Sequence, residues 1–289
     1  YRATVLSLFM SIVLFISASA FTDYLMESVM GGFSGDGYDL RYSISEEEVI
    51  EKDRTEDEIL ELLLSDQHVS AGTYLRYKYI NGTMENQYIT EEFLNYFAEP
   101  ASPEDVEGGK ASETPVNGYV YFVSDKEFEQ LLSQYGLPRE DYFNEEAPLG
   151  IVQDGATRFN IDKEKYETVN IVKSDVSEFH GRKLKDFSEY YYMEEGLDEN
   201  GNRVMQFWND NDKKDMQEVP YEDAFIKYFL RTGKTINQVP FYIGKSTGAD
   251  LNIIYPYSMM DNVLPEEMRS SNTFFYLATD DHRASFDNL

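Results

Sequence analysis

Gly244-Lys245-Ser246-Thr247-Gly248 is the stretch whose spacing comes nearest to a reaction centre, since it fits GxSxG. That turn exposes a nucleophilic serine between a strand and a helix. Here alternating apolar residues at 238–243 and 249–255 predict strands on both sides, which suits a polar hairpin turn instead. Gly233-Lys234-Thr235 and the Gly-Lys-Ser of the same stretch resemble the end of a P-loop, yet Tyr228 and Val239 stand where its first glycine must be. Asp198, Asn200 and Asn202 are spaced like calcium-loop oxygens, but Arg203 replaces the required glycine and Gln206 brings no carboxylate. A hairpin turn is the better reading. Asp210, Asp212 and Asp215 read as a solvated loop. His68, His180 and His282 are scattered and none sits in HExxH, so neither a zinc set nor a Ser/His pairing is indicated. Asn81-Gly82-Thr83 is formally a glycosylation sequon and reads as a turn between strands. With 54 carboxylates, chance acidic pairs abound and imply no glycosidase. No catalytic, cofactor-binding or metal-ligating residue is assigned, and an enzyme is not expected.

Charge narrows the partners. The net charge is -29, and because Arg2 is the only charge before Asp23, the remainder carries -30. Such a surface repels phosphate backbones, which excludes nucleic acid and points to cationic partners such as cationic peptides. Cysteine is absent, so there is no disulfide framework, and the length suffices for a core without one. Twenty-three tyrosines and an aromatic share of 15% argue for a folded chain.

The elements around these residues begin with Ala3 to Thr22, twenty residues without a charge. At about 1.5 Å per residue such a run matches a bilayer core, which predicts a transmembrane helix. A secretory signal peptide is the rival, since Ser17-Ala18-Ser19-Ala20 offers a cleavage site. Either reading places residues after about Asp23 outside the cell, with the cell membrane as the location. Gly31-Gly32 breaks the stalk. Alternation predicts strands at 38–44, 73–80, 84–89, 119–123, 151–152, 169–172, 187–193, 204–208, 238–243, 249–255 and 272–278. Helices are expected from the capping boxes Ser45/Glu48, Thr55/Glu58 and Ser124/Glu127, after Thr90, and at 163–167, 221–231, 258–263 and from Asp280. The span 99–117 reads as a loop.

The order of these parts, with the opening YRATVLSLFMSIVLFISASAFTDYL and the later segments LNIIYPYSMMDNVL and NTFFYLATDDHRASF, resembles the first external domain of FtsX-like, MacB-type permeases of ABC transporters from Gram-positive bacteria. The resemblance implies an α+β fold. An N-terminal transmembrane helix and stalk (1–30) would precede a porter-like βαβ part (31–117), an inserted α+β lobe (118–265) and a returning strand and helix (266–289). It further implies a homodimeric permease paired with a separate cytoplasmic ABC ATPase, whose motion the external domain would transmit in the export of, or resistance to, peptides. A membrane-anchored extracellular sensor or ligand-binding domain is the alternative.

Overall fold

The computed structural model of the protein describes residues 40–51, 54–96, 113–160, 164–173, 177–209, 213–236, 251–269 and 272–281. These fall into two compact units. The first takes the described residues up to Tyr74 and those from Thr273 onward; the second takes the described residues between.

In the first unit, Leu40, Tyr42 and Ile44 alternate along β1 (Leu40–Ser45). Ser45 then ends the strand and starts the helix Glu46–Glu51, its backbone N–H donating to Glu48 Oε2 at 2.9 Å. Thr55 and Glu58 repeat the reciprocal cap for the helix Glu56–Leu64, at 2.8 and 3.3 Å, and the helix buries Ile59 and Leu63 one turn apart. The strand Asn272–Thr279 lies between β1 and β2 (Val69–Glu85) in the sheet. Its Phe275 is fully buried between Tyr42 and Tyr74, at ring distances of 6.3 and 5.6 Å.

His68 and Asp280 tie this unit's strand ends together: Asp280 N–H donates to His68 O at 3.0 Å, and the side chains meet at 2.9 Å. The hydrogen bond to Asp280 holds the imidazole above its ordinary 6.5. The folded state therefore favours the protonated ring. Its contribution is complete below pH 6.5 and is lost as pH rises through the raised folded value. Proton NMR titration of His68 should give a midpoint above 6.5, which returns toward 6.5 in Asp280→Asn. An unchanged midpoint would show the pair to be incidental.

The second unit contains the rest of β2, β3 (Glu113–Val123), β4 (Leu149–Gln153), β5 (Ala156–Asn160), β6 (Lys165–Val169), β7 (Ser177–Leu184), β8 (Tyr192–Leu197), β9 (Arg203–Trp208), β10 (Gln217–Pro220), β11 (Phe225–Ile236) and β12 (Leu251–Pro256). Six strands close on themselves in the order β2-β3-β12-β4-β11-β7 and back to β2. β2 and β3 pair from Leu75 opposite Val123 to Glu85 opposite Glu113, whereas β7 and β2 meet at only three register positions, Gly82/Gly181, Thr83/His180 and Met84/Phe179. That short pairing is the barrel's seam.

Inward-facing residues on alternate positions fill the barrel, among them Ile80, Met84, Val120, Phe122, Leu230, Ile253 and Tyr255. Tyr255 stacks on Phe122 with ring centroids 6.0 Å apart, and its hydroxyl donates to Arg231 O at 2.7 Å. Burial pushes this phenol up, so it stays a neutral donor. The amphipathic helix Asp125–Tyr135 contacts β12, burying Phe128, Leu131 and Leu132 and ending at Gly136, whose φ of 64° a side chain would strain. Just after β4, Asp154 accepts the N–H groups of Gly155, Ile171 and Val172 at 2.6 to 2.8 Å, fixing the root of the β5–β6 hairpin. A three-stranded sheet, β10-β9-β8, packs Met205 and Phe207 with Tyr221 and Ala224.

This architecture corrects the α+β expectation. The described residues are mostly β around a closed barrel, which does not match an α+β fold of a porter-like βαβ part with an inserted α+β lobe. The expected turn at Asn81-Gly82 does not form, because β2 runs through it as one strand of 17 residues. Of the helix expected over 163–167, the described residues 165–167 lie in a strand instead, since β6 begins at Lys165. The helix expected over 221–231 is a 3-10 turn at Tyr221–Ala224 followed by β11, since Ile226, Tyr228 and Leu230 face inward and Phe225, Lys227 and Phe229 outward. β3 begins at Glu113, inside the expected loop, and Ser124 caps its helix by position without a side-chain cap bond. Among the described residues no helix is long and apolar enough to cross a membrane. The apolar run at 3–22, the glycine pair at 31–32, the turn at 244–248 and the helix expected from Asp280 lie wholly or mostly outside the described residues.

Candidate functional site: a cavity at the barrel seam

Where the seam ends, the barrel wall carries a cavity of about 670 Å³. That volume falls within the range of small-molecule sites. β2 supplies Asn81, Gly82 and Thr83, β7 supplies His180, Gly181 and Arg182, and β11 supplies Phe225, Lys227, Tyr228 and Phe229. Pro115 and Glu113 of β3 and the turn residues Tyr221 and Glu222 complete it.

Two glycines make the seam. A Cβ on Gly82 would lie 2.2 Å from His180 O, and one on Gly181 would lie 2.0 Å from the Tyr228 ring. No real side chain tolerates either distance. Past the Gly82/Gly181 pair the ladder stops, and the phenol of Tyr228 takes its place: its hydroxyl donates to Asn81 O at 3.0 Å and accepts from Asn81 N–H at 3.2 Å. Burial pushes this phenol up to about 12, so the proton needed for the donor role is kept throughout the physiological range. One side chain thus serves both backbone groups that a strand residue would otherwise have served.

The outer face of β7 and β11 forms the cavity's charged and aromatic side. Glu178 faces Arg231, His180 faces Phe229, Arg182 faces Lys227, and Leu184 faces Phe225. Glu178 and Arg231 are an ordinary complementary pair at 3.8 Å. The His180 and Phe229 rings lie 4.9 Å apart, and Phe229 is 43% exposed. Arg182 lies over the rings of Tyr221 and Phe225 at 5.3 and 5.1 Å, while Arg203 covers Tyr221 at 4.1 Å. Glu222 forms an ion pair with Lys227, and the bond from Lys227, helped by the charges of Lys227, Arg182 and Arg203, holds its carboxyl below the ordinary value. Opposite them, Thr83 Oγ1 donates to Glu113 Oε2 at 2.7 Å. The walls between these groups are mainly apolar.

The motifs considered from sequence are dispersed. Asp198 accepts the backbone N–H groups of Asn200 and Asn202, both at 2.8 Å, which makes it a hairpin-turn residue. Lys234 and Thr235 lie within β11, His68 is in the first unit, and Asp215 is exposed. Among the described residues no group of three or more metal-ligating side chains converges. His180 and Asn81-Gly82-Thr83 do reach the cavity, in roles the sequence reading did not give them. The signal missed was the two-residue alternation at 225–231, rich in the aromatic residues that strands favour. Comparison of the chain with protein-family models, with curated proteins and with solved structures gives no match.

Proposed function

We propose that this chain is the extracellular ligand-binding domain of a membrane-attached protein, taking a small molecule at the seam of its barrel. The observation that carries this reading is the roughly 670 Å³ cavity, with mainly apolar walls and a few converging polar groups. The uncharged run at 3–22 supports attachment to the membrane, and the cysteine-free, strongly acidic composition suits an exported bacterial domain. The resemblance of the segments at 1–25, 251–264 and 272–286 to FtsX-like permeases supports a second reading of the whole assembly: a homodimeric transporter subunit working with a cytoplasmic ABC ATPase. On that reading the binding domain is the external part that the ATPase moves.

The absence of cysteine makes placement simple to test. Asn200 is exposed on the β8–β9 hairpin, so Asn200→Cys introduces one thiol without disturbing a core. In intact cells a membrane-impermeant maleimide should label it as completely as in lysed cells. Labelling only after lysis would overturn the extracellular placement. Copurification of an ABC ATPase with the full-length protein would support the permease assembly, and its consistent absence would remove that reading while leaving the binding domain in place.

A further inference from the structure

We infer that the seam cavity takes a small organic anion: a carboxylate, sulfonate or similar singly charged group on an aromatic or apolar body. This deepens the binding reading above and rests on it. Like charges directly opposite one another in an antiparallel pair are unfavourable. Yet Arg182 faces Lys227 across β7 and β11, in a chain whose 54 acidic residues outnumber its 25 basic ones. Four register positions away on the same face, Arg231 meets Glu178, so the fold does make complementary pairs here.

The Arg182 guanidinium rests over Tyr221 and Phe225, which hold it at the cavity without occupying its N–H donors. Among the described residues no carboxylate lies within ion-pair distance of it and none of its donors is engaged. Lys227 has Glu222, and Arg203 has Glu195 at 2.6 Å. Among the described residues that line the cavity, Arg182 is therefore the cation whose N–H donors stay open to a ligand, although Glu222 feels its charge, and its planar fork suits two oxygens of one anionic group. Beside it, Phe225, Phe229 and Tyr228 offer the apolar surface for the ligand's body.

The size of the anion is bounded from the other direction. A field set by a net charge of -29 penalises each negative charge brought from solution, so a multiply charged ligand pays that penalty several times while meeting one available guanidinium. A single charge on an apolar body satisfies both conditions.

The test uses the full chain and two probes with the same rings and opposite charge, naphthalene-2-sulfonate and 2-naphthylmethylammonium, measured by isothermal titration calorimetry. The global charge favours the ammonium, and the cavity favours the sulfonate. The expected result is sulfonate binding about tenfold tighter, at one site per chain, a ratio that a single charge-assisted hydrogen bond can supply. Arg182→Gln should abolish that preference, whereas Arg231→Gln, which removes an equal charge from the same face, should keep it. Equal binding of the two probes, tighter ammonium binding, or a preference that survives Arg182→Gln would overturn the anion assignment while leaving the cavity a binding site. No binding of either probe would overturn the binding reading itself.

Discussion

Gly181→Ala should open the barrel at its seam and remove the cavity with it. The new methyl would sit 2.0 Å from two carbons of the Tyr228 ring, so the ring must leave its place. Tyr228 has only 6% of its surface exposed, and its displacement also frees both backbone groups of Asn81. Overpacking of this kind costs about 1–3 kcal/mol, and the two lost hydrogen bonds add about 1 kcal/mol each. A loss of about 3 kcal/mol follows, enough to lower the melting temperature of a domain this size by roughly 6–12 °C. Denaturant unfolding measures the loss, and amide exchange at Asn81 shows whether it begins at the seam. The clash predicts a specific coupling: once Tyr228→Ala has removed the ring, Gly181→Ala should cost much less than it does alone. Equal costs in the two backgrounds would mean that the seam is not held as described.

Asp154→Ala should be comparably damaging for a different reason. Its carboxylate accepts three backbone N–H groups, from Gly155, Ile171 and Val172, within a side chain that is 9% exposed. Burial holds the carboxyl above its ordinary range, against the pull of those three donors. Removing it leaves buried donors unpaired at about 1–3 kcal/mol each, so a loss of about 3 kcal/mol or more is expected. Asp154→Asn, which keeps one acceptor oxygen of the same shape, should lose less. The β5–β6 hairpin should exchange its amides faster in both variants while the interior of the barrel stays protected. If the alanine variant unfolded no more easily than wild type, Asp154 would not be what fixes the hairpin root.

Much of the local structure is legible in the sequence, because local physics decides it. Thr55 and Glu58 announce their helix by a cap that needs only four residues, and Leu40, Tyr42 and Ile44 announce β1 by alternation. Closure of the barrel is not legible in this way. Asn81-Gly82 has the chemistry of a hairpin turn, and only the carbonyl of His180, nearly a hundred residues away, shows that Gly82 is needed for close approach within one long strand. The stretch Tyr221 to Arg231 is similarly undecided locally. Its apolar residues fit a helical stripe loosely and a strand well, and pairing with β7 and β4 settles it as a strand from Phe225 onward. The cavity inherits both difficulties, since its residues come from strands far apart in sequence, among which Asn81-Gly82 reads locally as a turn and 221–231 as a helix. His180, scattered by sequence, belongs to the cavity solely through its register with Thr83 and Phe229.

The claim that the seam cavity is the binding site is tested most directly by amide-resolved NMR of the labelled full chain during titration with naphthalene-2-sulfonate. Saturating shift changes should centre on Asn81, Thr83, Arg182 and Lys227, which line one cavity but come from three strands. Changes centred instead on the partly exposed tyrosine cluster of Tyr77, Tyr79 and Tyr119, or spread thinly without saturation, would contradict it.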